Sequence, residues 1–141
     1  MNNNIKIEMN ANKDNIIFSR GAIASFLVNL PLPINFLNEI KTVISEAVTN
    51  AIVHGYPTNV GEIVLESEII DNCIHINVFD EGVGIEHLTE ALEPFYTTKP
   101  DDERSGMGFT IMKSFMDEVK VESEKGKGTK VYMVKTIKAD E

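Results

Sequence analysis

The sequence contains a single cysteine and no long apolar segment, and both shortages exclude classes of protein. One cysteine, Cys73, cannot form an internal disulfide or build a cysteine-rich metal site, and this is typical of a reducing compartment. No stretch approaches the roughly 20 apolar residues of a membrane-spanning helix. The first ten residues lack the basic and apolar regions of an export signal. We therefore expect a cytoplasmic protein without a membrane partner.

Positive charge is also scarce, because 13 Lys and Arg face 22 Asp and Glu, for a net charge of -9. Nucleic acid rewards basic surfaces, so it is not an expected partner. No Lys or Arg lies between Lys41 and Lys99. An anionic ligand held there would need a metal ion, backbone amides or cations from elsewhere in the chain. Alternatively, most of the Asp and Glu residues between Lys41 and Lys99, the acidic stretch, form an ordinary solvated surface.

The length of 141 residues and the 43% apolar content fit one globular domain spanning residues 1–141. Apolar periodicity predicts strands at 4–9, 61–70, 73–80, 119–124 and 129–137, and helices at 13–30, 34–54 and 107–118. Residues 81–106, rich in Gly, Pro and charge, hold at best one short helix. The predicted fold is α+β: a two-layer sandwich with a mostly antiparallel mixed sheet against about three helices.

Glu46 and Asn50 are four residues apart in the second predicted helix, so they share one face of it. That face lies almost opposite the apolar stripe, and an ordinary solvated pair is one interpretation. The other is chemical, because a carboxylate can act as a general base and an amide oxygen can bind Mg²⁺.

Asp80 ends a strand in which Ile74, Ile76 and Val78 point to the same side. A carboxylate aimed at an apolar layer needs a dedicated donor, such as the amino group of adenine. Gly82 and Gly84 follow, where a loop without side chains lets a flat ring approach the backbone. Thr129 shares the inward face of the last strand. The alternative is that the strand ends before Asp80, which then begins a turn.

Residues 97–108 lead from a polar segment through two glycines into the third helix. Free N–H groups at a helix start form an anion site. Lys99 and Arg104 are the first cations after the acidic stretch. The segment is long enough for a mobile lid over a phosphate tail, although a simple flexible loop is the alternative.

In their order along the chain, these segments resemble the GHKL superfamily of ATPases and kinases. The N box matches residues 46–51, the G1 box residues 80–85, an F-box-like run residues 93–100, and the G2 box residues 106–109. The resemblance implies Mg-ATP as cofactor, with residues 93–108 as the ATP lid. It makes Glu46 the catalytic base, Asn50 the Mg²⁺ ligand and Asp80 the adenine reader. The resemblance implies that Gly82, Gly84 and Thr129 line the adenine. It also implies that the phosphates are covered by Lys99, Arg104, Ser105, Gly106, Met107 and Gly108.

Within the superfamily, the length and residues 45–56 resemble the anti-sigma kinases of Gram-positive bacteria. That resemblance implies a homodimer that sequesters a sporulation sigma factor and phosphorylates a serine of an anti-anti-sigma protein. Arg20 in the first helix is the expected partner contact, with an ordinary solvated side chain as the alternative. Three other functions stay open: a kinase governing a general-stress sigma factor, an ATP-dependent binding switch with negligible transfer, and a free-standing histidine-kinase catalytic domain.

Overall fold

The computed structural model describes residues 2–58, 60–85, 92 and 108–137 of the chain. Within them it contains five strands and three α-helices, which confirms the predicted α+β class. In chain order the elements are β1 (Asn3–Asn10), α1 (Asp14–Phe26), α2 (Ile34–Asn50), β2 (Glu62–Ile70), β3 (Cys73–Asp80), α3 (Gly108–Phe115), β4 (Glu118–Glu124) and β5 (Gly128–Thr136). No helix in these ranges has the length and apolar character to cross a bilayer.

The strands form one sheet in the order β1-β2-β3-β5-β4. All four pairings between these strands are antiparallel, where the sequence suggested a mixed sheet. β3 occupies the centre, and Asp80 at its end pairs with Ile63 on one side and Thr129 on the other. The register therefore places the inward-facing side chains of Asp80 and Thr129 side by side.

Alternation along the strands separates a buried face from an exposed one, as expected for a sheet covered on one side. In β3 every second residue from Ile74 to Asp80 is buried. The three helices cover this face, with Ile23, Ile44 and Met112 fully buried against it. Each such side chain contributes about 1.5–3 kcal/mol on leaving water.

Two helices are shorter than the sequence predicted. α1 ends at Phe26 instead of residue 30, and two of the apolar residues assigned to its pattern, Ile17 and Phe18, are 75% and 54% exposed. α3 ends at Phe115 instead of residue 118, because the Asp117 N–H donates to the Val134 carbonyl at 2.9 Å and starts the β4–β5 pairing. Strand pairing thus overrides the helical periodicity.

The second predicted helix continues to residue 55, but its last turn, Ala51–Gly55, is π-helical. The Tyr56 N–H donates to the Ala51 carbonyl, five residues earlier, at 3.1 Å. Single π-turns of this kind are frequent at functional sites. Here the wider turn delivers Gly55 and Tyr56 to the end of β3.

Candidate functional site

Asp80 is a buried carboxyl group at the end of the central strand, with 8% of the residue exposed. The Gly82 N–H donates to its Oδ1 at 2.9 Å, and the Thr129 backbone N–H also donates to it. Burial raises the pKa of Asp80 to about 6, even though these two backbone donors lower it. Because Asp80 belongs to β3 and pairs on both sides, the alternative of a turn residue is wrong.

The Asp80 carboxylate retains acceptor capacity beyond these two N–H groups, since an ionised carboxylate has about four lone-pair sites. A buried acceptor of this kind gains from a donor that a ligand supplies. The neighbouring Thr129 is also buried, at 9% exposed, and its hydroxyl adds a second polar atom. The pair therefore suits a ligand that carries an amino group.

Gly82 and Gly84 allow backbone segments to pack against one another. A Cβ on Gly82 would lie 1.9 Å from the Gly55 carbonyl oxygen, and one on Gly84 would lie 2.0 Å from the Glu124 carbonyl oxygen. Gly84 also has a φ of 73°, which side chains rarely tolerate. The sequence assigned these glycines to a ligand's flat ring. In the structure, the protein's own backbone occupies the positions that side chains would fill.

A second group forms where α3 begins beside α2. A Cβ on Gly108 would lie 3.0 Å from Asn50 Nδ2 and 3.3 Å from Glu46 Oε2, so the first turn of α3 rests on these two side chains. Glu46 is only 8% exposed, and the solvated-face interpretation is therefore wrong for it. The structure thus brings Gly108, at one helix start, together with two predicted site residues, Asn50 and Glu46, that lie 58 and 62 positions earlier in the chain.

The residues around Gly108 fit a phosphate group with Mg²⁺ better than a metal ion alone. No cluster of three or more His, Cys, Asp or Glu side chains suited to a metal occurs in the described part of the chain. Asn50 and Glu46 offer hard oxygen atoms, and Mg²⁺ commonly binds one or two protein groups together with substrate phosphates and water. The start of α3 adds N–H groups and a positive dipole end for anions.

Tyr56 is a site residue to which the sequence assigned no role. Its hydroxyl accepts the Glu81 N–H at 2.7 Å and donates to the Glu62 carbonyl at 2.7 Å. Burial raises the pKa of this phenol, so it stays protonated and keeps its donor. The hydroxyl therefore fixes the residue after Asp80 to the start of β2. Its only signal in the sequence is its place directly after Gly55.

Ser123 in β4 is a second residue that the sequence missed. Its Oγ accepts the Ile85 N–H at 2.7 Å and lies 2.8 Å from Thr129 Oγ1 and 3.1 Å from the Gly128 carbonyl. The alternation of Val119, Val121 and Ser123 could have placed this side chain inward. The strand register needed to align it with Thr129 was not available from the sequence.

The remaining predicted residues lie elsewhere. Arg20 is exposed on α1. The predicted lid residues Lys99, Arg104, Ser105, Gly106 and Met107 lie outside the described residues, as does the F-box-like run at 93–100. Gly108 is therefore the lid residue whose surroundings the structure gives.

Comparison with known proteins gives one family and close relatives. Residues 9–135 match the model of the histidine kinase-like ATPase domain family. The chain is 53% identical over 138 residues to the anti-sigma F factor of Geobacillus thermodenitrificans, covering 97% of this chain and 94% of the relative. It is 48% identical over 135 residues to the anti-sigma F factor of Clostridium acetobutylicum, covering 96% and 94%.

Solved structures agree on the fold. The RsbU and RsbW domains of a Mycobacterium tuberculosis protein superpose with a TM-score of 0.69 at 19% identity, covering 96% of this chain and 32% of that one. The catalytic domain of the histidine kinase ThkA gives a TM-score of 0.60 at 17% identity, covering 94% and 98%. These likenesses confirm the predicted two-layer α+β sandwich.

Proposed function

The chain belongs to the histidine kinase-like ATPase family and, within it, to the anti-sigma F factors, and on this basis we propose that it is a Mg-ATP-dependent protein-serine kinase that sequesters a sporulation sigma factor. Its substrate is a serine on an anti-anti-sigma protein. Residues 1–141 form one kinase domain, residues 93–108 form its ATP lid, and the protein acts in the cytoplasm as a homodimer.

The observation that carries the proposal is that two different polar groups, one at Asp80 and one at Asn50, lie around the end of α2 and its π-turn. Gly55 brings the π-turn against Asp80, because a Cβ there would lie 2.9 Å from Asp80 Oδ1. Asn50, one turn earlier, contacts the start of α3. The group at Asp80 thus offers acceptors for an amino group, and the group at Asn50 and the start of α3 offers donors and oxygen ligands for Mg-phosphate. ATP carries both partners on one molecule.

In the proposed reaction each residue has one task. Asp80, beside Thr129, would accept a hydrogen bond from the amino group of adenine, and Asn50 would hold Mg²⁺. When bound, ATP supplies its γ-phosphoryl group to the serine oxygen, the bond from the γ-phosphorus to the bridging oxygen breaks, and ADP is the leaving group. Glu46 takes the proton from the incoming serine hydroxyl, as a carboxylate can when it lies within hydrogen-bond reach. An acidic chain repels phosphates, so their charge must be offset. We assign that role to Lys99 and to residues 104–108, which include Arg104.

We assign the partner surface to α1. Arg20 is exposed on α1, and the exposed Ile17 lies one helical turn before it. A cation beside apolar side chains suits a protein interface. The phosphoserine formed on the partner carries nearly two negative charges. Repulsion from a chain of net charge -9 then favours release of the product.

Phosphoryl transfer tests the proposal. The chain, Mg²⁺ and labelled ATP are mixed with a candidate anti-anti-sigma protein, and the partner is washed with acid, which phosphoserine survives and phosphohistidine does not. We expect acid-stable label with the wild-type chain and with Glu68→Gln, a control at an exposed carboxylate. We expect at least about 100-fold less with Glu46→Gln, at unchanged ATP affinity.

Other outcomes identify the alternatives. Tight ATP binding without transfer would show a binding switch, and acid-labile label would show a histidine kinase. Capture of a general-stress sigma factor in place of a sporulation one would move the chain to the related stress kinases.

A further inference from the structure

Ser123 lies next to Thr129, which with Asp80 forms the proposed adenine site, and the Ser123 hydroxyl contacts three polar groups. The Ile85 N–H can only donate and the Gly128 carbonyl can only accept, whereas the Thr129 hydroxyl can do either. Ser123 carries one proton and two lone pairs. The count of donors and acceptors therefore decides how the Thr129 hydroxyl is oriented.

Only one arrangement turns all three contacts into hydrogen bonds. Ser123 accepts from Ile85, donates to the Gly128 carbonyl at 3.1 Å, and accepts from Thr129 at 2.8 Å. If Ser123 instead donated to Thr129, its contact with Gly128 would contain no proton. Thr129 Oγ1 then directs its proton backward to Ser123 and presents only lone pairs to its other neighbours.

We propose that Ser123 is a positioning residue for base specificity, because it fixes the Thr129 hydroxyl as an acceptor beside the Asp80 carboxylate. The inference rests on the proposed ATP-binding function and goes beyond it by explaining how an oxo-purine is rejected. Two adjacent acceptors favour a base with an exocyclic amino group. A base with a carbonyl at that position would place oxygen against oxygen.

Removal of the Ser123 hydroxyl frees the Thr129 proton. In Ser123→Ala, Thr129 can rotate and donate to a carbonyl, so an oxo-purine regains a partner. In Ser123→Thr the hydroxyl is retained on a residue type that fits a strand well. The two variants therefore separate the hydrogen bond from the volume of the side chain.

The test measures the affinities of ADP and inosine diphosphate by calorimetry and compares their ratio among variants. We expect Ser123→Ala to lower the ADP preference by about tenfold, the usual scale for a mismatched buried hydrogen bond. Ser123→Thr should stay within about threefold of the wild type. Ser67→Ala is the matched control, since Ser67 is a buried serine of the same sheet whose hydroxyl has no hydrogen-bond partner in the described part of the chain.

The ratio distinguishes specificity from general damage, because a destabilised pocket weakens both nucleotides equally. An unchanged ratio in Ser123→Ala would overturn the inference and leave the proposed function intact. No binding of either nucleotide by the wild-type chain would overturn both. If Ser123→Ala does not fold by circular dichroism, Ser123→Cys replaces it, because a thiol is a weak donor and acceptor. Thr129→Val should lower the ratio as well, and adding Ser123→Ala to it should lower it no further, because Ser123 acts through Thr129.

Discussion

The buried Asp80 carboxyl makes stability depend on pH in a direction opposite to that of most acidic groups. Its pKa is raised from 3.8 to about 6 by burial. Between these values the folded chain holds a proton that the unfolded chain has released, so stability falls as pH rises through this range. Well above pH 6 the folded state carries the full cost of the buried charge. A rise of the pKa from 3.8 to about 6 corresponds to a cost of about 3 kcal/mol.

The assay is urea unfolding of the ligand-free wild type and Asp80→Asn at two pH values. For a folded pKa of about 6, the linkage relation gives the wild type an extra stability of about 1.4 kcal/mol at pH 5 relative to pH 7.5. The asparagine variant lacks this proton, and the other titrating groups cancel in the comparison. The free-energy difference between the two proteins should therefore change by that amount. A difference that is constant within about 0.5 kcal/mol would show that the folded chain does not hold a proton on Asp80 in this pH range.

The same proton competes with an amino-bearing ligand, because the ionised carboxylate is the stronger acceptor. ADP affinity of the wild type should fall about tenfold from pH 7.5 to pH 5. Nucleotide phosphates also take up protons in this range. Asp80→Asn binds the same nucleotide but lacks the titrating carboxyl group, so the loss of ADP affinity that it retains between these pH values measures the contribution of the phosphates.

Two further substitutions test the packing around Asp80. Tyr56→Phe removes the acceptor of the Glu81 N–H and should lower the free energy of unfolding by about 1–3 kcal/mol, whereas Tyr132→Phe, on the opposite sheet face, should change it by less than about 0.5 kcal/mol in the same urea titration. Gly82→Ala places a Cβ 1.9 Å from a backbone oxygen and should cost more than about 3 kcal/mol. Gly21→Ala in α1 should instead stabilise the chain by about 0.5–1 kcal/mol, because among the described residues an added Cβ there would have no atom within 4 Å apart from its chain neighbours and its own helix backbone. Equal effects within either pair would contradict the contacts described.

The sequence predicted the strands and the inward position of Asp80 well because alternation is a local signal. The period of two identifies which face of β3 is buried, and Asp80 breaks the apolar series on that face. Only Asp71 and Asn72 separate β2 from β3, and Asp71 adopts a positive φ of 53°, which Asp tolerates in a tight turn.

What the sequence could not predict depends on residues far apart in the chain. Glu46 faces away from the apolar stripe of its helix, yet α3 covers it from more than 60 residues away. Ser123 acquires its role only when the register aligns it with Thr129. The exposure of Ile17 and Phe18 shows the converse, since helical periodicity alone does not establish that an apolar residue is buried.

In the proposed function, one site, from Asp80 to the start of α3, binds Mg-ATP. The direct measurement is the affinity of ATP with Mg²⁺ and with a chelator, for the wild type, Asn50→Ala and Asn38→Ala, an exposed control on the same helix. We expect Mg²⁺ to strengthen binding at least about tenfold in the wild type and the control, and to have little effect in Asn50→Ala. The same gain from Mg²⁺ in Asn50→Ala, or no binding of ATP by the wild type, would contradict the claim.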